Sequence, residues 1–168
     1  KRQKSVVNPK TMPDRNNVNG IVYASKPLFY SGTLIDGFWI KFENGKVVDY
    51  DAKEGKEALA DIINYDEGRS RLGEAALVPY DSPISKLDII FQETLFDENA
   101  ACHIALGASF PENIADGELL TEKELEARGA NQSKMHVDFM IGTSDLSIDG
   151  VKEDGTIVSV FRNGNFAF

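Results

Sequence analysis

Short apolar stretches bounded by turn residues make up most of this chain, and only two segments carry a helical period. Ile21 to Ala24 and Leu34 to Phe42 read as strands. Asn44-Gly45 reads as a two-residue turn, because both residues tolerate positive φ, and Val47 to Tyr50 returns. Together they predict a β-hairpin. Over residues 54–66 the period changes: Ala58, Leu59, Ile62 and Ile63 recur at helical spacing, with Gly68 where a C-cap would stand. A second helix is expected from Glu122 to Arg128. Thr121 and Glu124 form a capping box at its start, Leu120 and Leu125 are spaced for a hydrophobic staple, and Gly129 ends it.

The other apolar stretches, Leu72 to Val78, Leu87 to Phe91, His103 to Leu106 and Met135 to Ile141, are short and read as extended. Two further turn signals, Asp154-Gly155 and Asn163-Gly164, flank Ile157 to Phe161. Residues 1–18 are crowded with Asn, Pro and Asp and read as an irregular segment, leaving 19–168 as one domain. No repeat or low-complexity tract is present. Strands outnumber helices and do not alternate with them, so the expectation is an α+β fold: a mixed, mostly antiparallel sheet with a few short helices.

Composition narrows the function. A chain of 168 residues is long enough to bury a core without staples. The formal net charge of −9 argues against nucleic acid and anionic membranes as partners, since phosphates are held by clustered Lys and Arg. Cys102 is the single cysteine, which rules out an internal disulfide and fits a cytoplasmic setting. The basic start lacks the apolar stretch of a signal peptide, and no run of about 18 apolar residues is long enough to span a membrane.

The chemistry gathers around the two histidines, His103 and His136. In His136-Val137-Asp138 the outer residues share one face of a strand, so an imidazole and a carboxylate project together as a two-point grip on a divalent cation. The alternative is a strand with one polar, solvated side. His103 follows Asp97 and Glu98 by six and five residues; the alternative there is a hydrogen-bonded, half-buried histidine beside surface acids. Glu74 stands alone in the apolar run Leu72 to Val78, where a buried carboxylate must be paired, protonated or ligated. Arg69 and Arg71 are possible partners, and Gly73 beside it would admit a close backbone approach. Glu74, Glu98, Asp138, His103 and His136 form a mixed oxygen and nitrogen set that suits Zn, Co or Mn better than Ca or Mg. Their number suits two metals sharing a carboxylate, an arrangement that activates water and stabilises a tetrahedral oxyanion. Cys102, adjacent to His103 on a strand, faces away from it and makes a poor nucleophile pair.

Four blocks of the chain resemble signatures of the thermophilic-type metallo-aminopeptidases, the aminopeptidase T and aminopeptidase S family. They are Arg71-Leu72-Gly73-Glu74-Ala75-Ala76-Leu77-Val78-Pro79-Tyr80-Asp81-Ser82-Pro83-Ile84-Ser85; Thr94-Leu95-Phe96-Asp97-Glu98-Asn99-Ala100 with His103-Ile104-Ala105-Leu106-Gly107; His136-Val137-Asp138-Phe139-Met140-Ile141-Gly142; and Phe161-Arg162-Asn163-Gly164. The resemblance runs from about Thr11 to Phe168. It implies a two-domain, homodimeric enzyme that removes N-terminal residues from peptides with two divalent metals. By the same resemblance Glu74 matches the bridging carboxylate, His103, His136 and Asp138 match ligands, and Glu98 matches an acid of the site, either base or ligand.

Three departures accompany the resemblance. Full-length members are more than twice as long, with an N-terminal domain. A ligand glutamate precedes their Thr-x-Pro, where this chain has Val6-Val7-Asn8-Pro9-Lys10 before Thr11-Met12-Pro13. A tyrosine of the site is replaced by Phe110. Two expectations follow: a C-terminal portion of a dinuclear metallo-aminopeptidase, inactive in isolation, or a truncated homologue serving as a dimerisation or metal-binding module.

Overall fold

A computed structural model of the chain describes residues 10–87 and 98–168. The strands before the first helix are β1 (Lys10–Thr11), β2 (Gly20–Tyr23), β3 (Leu28–Tyr30), β4 (Thr33–Ile35), β5 (Trp39–Glu43) and β6 (Lys46–Asp51). β2, β5 and β6 form one antiparallel sheet, and β3 pairs with β4. The expected hairpin is β5–β6, with Asn44 at φ 49° and Gly45 at φ 81° turning the chain. The single strand expected from Leu34 to Phe42 is in fact two. Gly37 takes φ 57° between them, and a Cβ there would lie 2.6 Å from the Lys53 side chain, so the chain bends away and β5 enters a different sheet from β4.

The first helix, α1 (Lys56–Asn64), buries Leu59, Ile62 and Ile63. Gly68 is not its cap. The helix ends at Tyr65 in right-handed geometry, and Gly68 belongs to a 3-10 turn, Glu67–Ser70. Gly68 answers a packing demand instead: a Cβ would stand 1.8 Å from the Gln132 carbonyl oxygen. The second helix, α2 (Glu122–Ala127), has both hydrogen bonds of the Thr121/Glu124 capping box. Gly129 follows it at φ 90°. The strand expected over Leu87 to Phe91 lies outside the described residues, except Leu87, which closes a short 3-10 turn.

The central sheet has the order β1-β7-β8-β9, with β7 (Leu72–Ala76), β8 (His103–Gly107) and β9 (His136–Met140). Lys10–Thr11, expected as loop, is its edge strand, pairing Lys10 with Ala76. A fourth antiparallel sheet among the described residues holds β10 (Ile148–Val151), β11 (Ile157–Arg162) and β12 (Asn165–Phe166), with the two expected turns between them. Every ladder among the described strands is antiparallel, so the α+β expectation stands, with the strands divided among several sheets.

One face of the central sheet is core. Leu72, Ile104, Leu106, Val137 and Phe139 pack with Ile35, Phe38, Ile40 and Phe42 and with the buried side of α1. Phe38 and Phe139 meet at 5.3 Å between ring centroids. That packing fixes which residues of β7, β8 and β9 must face the other way, because strand side chains alternate. The register of β7 slips between Leu72 and Glu74, at Gly73. A Cβ on Gly73 would meet the carbonyl oxygens of Ala108 at 2.2 Å and Gly107 at 2.4 Å, both rigid backbone. Gly73→Ala is therefore expected to cost about 1–3 kcal/mol, as overpacking of a dense interior does. Denaturant unfolding checks this; an unchanged midpoint would show that the bulge has room to spare.

Candidate metal centre

The polar face of the central sheet is laid out by its register. Glu74 pairs with Ala105, which pairs with Asp138; Ala76 pairs with His103; Lys10 pairs with Ala76; and Gly107 pairs with His136. Directly opposed residues share a face, so Lys10, Glu74, His103, His136 and Asp138 all project to one side. Ala76 and Ala105 are fully buried between them and leave space that larger residues would fill. Ligand atoms of Glu74, His103 and Asp138 lie within 4.8 Å of one another. His136 Nε2 is 3.3 Å from Asp138 Oδ1 and 3.8 Å from Glu74 Oε2, and His103 Nε2 is 3.4 Å from Glu74 Oε1.

The imidazoles are held in a matching way. His103 Nδ1 lies 3.1 Å from the Ala101 carbonyl oxygen, and His136 Nδ1 lies 2.8 Å from that of Ala108. A carbonyl only accepts, so each Nδ1 carries hydrogen and each Nε2 is turned inward. In the neutral ring that Nε2 presents a lone pair to a carboxylate. Two lone pairs cannot face each other in a buried site without a proton or a cation between them. Glu74 is 0% exposed, yet neither of its oxygens receives a well-directed hydrogen bond, and His103 Nε2 lacks one as well. Burial pushes the Glu74 carboxyl up, but His103, Lys10 and His136 outweigh it and hold the group below its ordinary value. Burial lowers both imidazoles, while Glu74 beside His103 and Asp138 beside His136 more than reverse this, so both rings are raised. Inward lone pairs, a buried carboxylate short of partners and small residues between them fit a divalent cation.

Other expected residues border this cluster. Glu98, on a 3-10 turn, reaches it from the side, its Oε1 3.5 Å from Lys10 Nζ. Phe110 packs against His136 with 4.6 Å between ring centroids and the rings tilted by 47°. The arginines do not pair with Glu74. Arg71 donates to the Arg15 carbonyl oxygen at 2.6 Å, and the Arg69 guanidinium lies 5.9 Å from the Tyr30 ring centroid and 5.6 Å from that of Tyr65. Cys102 is buried with its thiol 3.3 Å from the Val78 backbone, and burial raises its pKa, which makes it a poor nucleophile. Two residues of the site escaped the sequence reading. Lys10 places its ammonium 3.0 Å from Glu74 Oε1. Buried Asn131 donates to the Gly68 and Gly107 carbonyl oxygens at 2.7 Å each, tying the end of β8 opposite His136 to the turn after α1.

Comparison with known proteins places the geometry in a family. The model of the thermophilic metalloproteases (M29) matches residues 11–166. The chain belongs to this family. Aminopeptidase 2 of Geobacillus stearothermophilus is 54% identical over 158 residues, which is 94% of this chain and 38% of that protein. Aminopeptidase AmpS of Bacillus subtilis (strain 168) is 49% identical with the same coverages. Aminopeptidase T of Thermus aquaticus is 48% identical over 156 residues, 93% of this chain and 38% of its own. A solved structure, wild-type AmpT from Thermus thermophilus, superposes with a TM-score of 0.89 at 45% identity, covering 96% of this chain and 39% of that one. The chain thus spans 38% of the length of these curated relatives and matches their C-terminal portion.

The charge arrangement sets a pH response for the metal-free chain. Both imidazoles are raised above the ordinary 6.5, so their stabilising contacts are complete below that value and are lost as pH rises through the folded values. Glu74 is held below the ordinary 4.5, so its contribution is present above that value and is lost as pH falls through the folded one. Thermal unfolding in chelator from about pH 5 to about pH 9 should show the gap between wild type and His103→Gln shrinking as pH rises. A gap constant across that range would mean that the ring is not held in its charged form.

Proposed function

We propose that residues 19–168, with the edge strand Lys10–Thr11 joined to their central sheet, form the C-terminal metal-binding domain of a dinuclear metallo-aminopeptidase, which hydrolyses N-terminal residues from peptides. The carrying observation is the buried Glu74 carboxylate, whose two oxygens face two different imidazoles whose inward nitrogens both lack carbonyl partners. In this reading Glu74 would be shared by two divalent ions, Zn, Co or Mn, and His103, His136 and Asp138 would be further ligands. Bound cations supply Lewis acidity, which lowers the pKa of water and polarises a carbonyl. Glu98, on the flank of the cluster, acts as the proton-accepting base or as a ligand. Phe110 stands where a phenol would donate to a developing oxyanion, and its phenyl ring only packs on His136. The names of the relatives support a peptide substrate; a homodimer in the cytoplasm, without nucleic-acid or membrane partners, completes the proposal. No helix among the described residues is long and apolar enough to cross a membrane.

A second reading, a metal-binding or dimerisation module without catalysis, draws on Phe110, which leaves the border of the cluster without a phenol donor. Titration of the purified chain with Zn, Co or Mn separates the outcomes. The melting temperature should rise, with about 2.7 kcal/mol of added stability at about 100 times Kd. Because Val6-Val7-Asn8-Pro9-Lys10 supplies no acid before Thr11-Met12-Pro13, one of the two sites is incomplete in this chain, and binding should involve roughly one metal per chain, with negligible cleavage of a leucyl chromogenic substrate. His136→Ala or Asp138→Ala should abolish the thermal shift. Absence of any metal-dependent shift would overturn the metal reading, and robust turnover by this chain would overturn its inactivity in isolation.

Phe110 is tested in the full-length enzyme. Phe110→Tyr should raise turnover by about 10²–10³, the value of one oxyanion donor, with little change in stability. Equal rates would show that the ring at this place only packs.

A further inference from the structure

We propose that the Lys10 ammonium is a built-in competitor for one cation of the cluster, seated between Glu74 and Glu98. The inference rests on the metal reading above and goes beyond it, since it concerns what governs loading of the site. Lys10 Nζ lies 3.0 Å from Glu74 Oε1 and 3.5 Å from Glu98 Oε1. Its placement is set by the backbone: Lys10 pairs with Ala76 on the edge of the central sheet, and the small alanine lets the long side chain run along the polar face. The ammonium also lies 5.9 Å from the centroid of the Phe110 ring, which borders the same cluster.

The two oxygens of Glu74 are consequently in different situations. Oε1 faces Lys10 and His103, and Oε2 faces His136. A divalent ion bound by Glu74 Oε1 and Glu98 would meet a positive charge already within contact distance of both. The ammonium must leave for that ion to bind. Lysine suits this role because its charge is carried on a flexible stem, and its side chain keeps a path to solvent at 32% exposure. On the Oε2 side, with His136 and Asp138, the ammonium acts only at longer range.

Lys10→Met keeps the length of the stem and removes the charge. Calorimetric titration of wild type and Lys10→Met with Zn, alongside Lys10→Arg, compares the loading directly. The Zn dissociation constant should fall about tenfold or more in Lys10→Met, or a second equivalent should appear, while Lys10→Arg stays near wild type. Equal Zn affinity in wild type and Lys10→Met would overturn the competition while leaving the metal reading intact. Failure of both proteins to bind Zn would overturn both. A measurement on the unaltered chain covers the case in which the variants do not fold: acylation of Lys10, read by peptide mass spectrometry, should increase when Zn saturates the site. Unchanged Lys10 reactivity on saturation would also overturn the proposal.

Discussion

A carboxylate sealed from water has to be matched by positive charge, and Glu74 is the sealed group around which the rest of this site is arranged. It lies on a central strand, wholly buried, with both oxygens lacking well-directed hydrogen bonds. Leaving such an anion uncompensated would cost several kcal/mol. The structure answers with His103 on the neighbouring strand, His136 on the strand beyond it and Lys10 from the edge. Asp138 and Glu98 then add negative charge to the same small volume. A cluster of three acids, two imidazoles and one ammonium is close to balance only when the rings are protonated or a cation is present, which is why the rings are raised.

The sheet makes that concentration of charge possible. Each of β7, β8 and β9 gives one face to the core and the other to the site, and the core face is filled by Leu72, Ile104, Leu106, Val137 and Phe139. A shift of register by one residue would turn the charges into the apolar core and the apolar set onto the polar face, so the hydrophobic packing specifies the geometry of the cluster. Ala76 and Ala105 hold space open, and Gly73 lets the Gly107–Ala108 backbone approach. Ala108 in turn orients His136. The glycine beside Glu74 thus acts on His136, two strands away, through a carbonyl at the end of the neighbouring strand.

What the sequence made legible follows from how local each signal is. His136 and Asp138 two apart on an apolar strand project together by the geometry of one strand, and the capping box of α2 and the Asn44-Gly45 hairpin are local in the same sense. Glu74 stood out because a lone acid in an apolar run needs a reason. Its partner did not, since Lys10 is 64 residues away and meets it only through pairing of β1 with β7. Asn131 was missed for the same cause: its two backbone acceptors lie far apart in the chain. Gly68 shows the opposite error. A glycine after a helix suggested a cap, whereas the constraint comes from Gln132 in a distant loop. Leu34 to Phe42 read as one strand because apolar content hides a bend that Gly37 alone marks.

The exposure of the cluster is graded, and the gradient separates holding from reacting. Glu74 and His103 are closed off at 0% exposure, and Asp138 is at 5%. The side chains of Glu98, His136 and Lys10 reach 12%, 18% and 32%. Groups that only grip a cation gain from burial, because a low dielectric strengthens the grip and keeps the ligands in place. Groups that exchange protons with a substrate, or give way to an incoming ion, need a path to water. In the proposed reading the inner residues and His136 would grip the cation, while Glu98 and Lys10 would serve chemistry and loading. An ion entering from the open side would meet Lys10 and Glu98 first, and only then the sealed pair whose unmet charge draws it in.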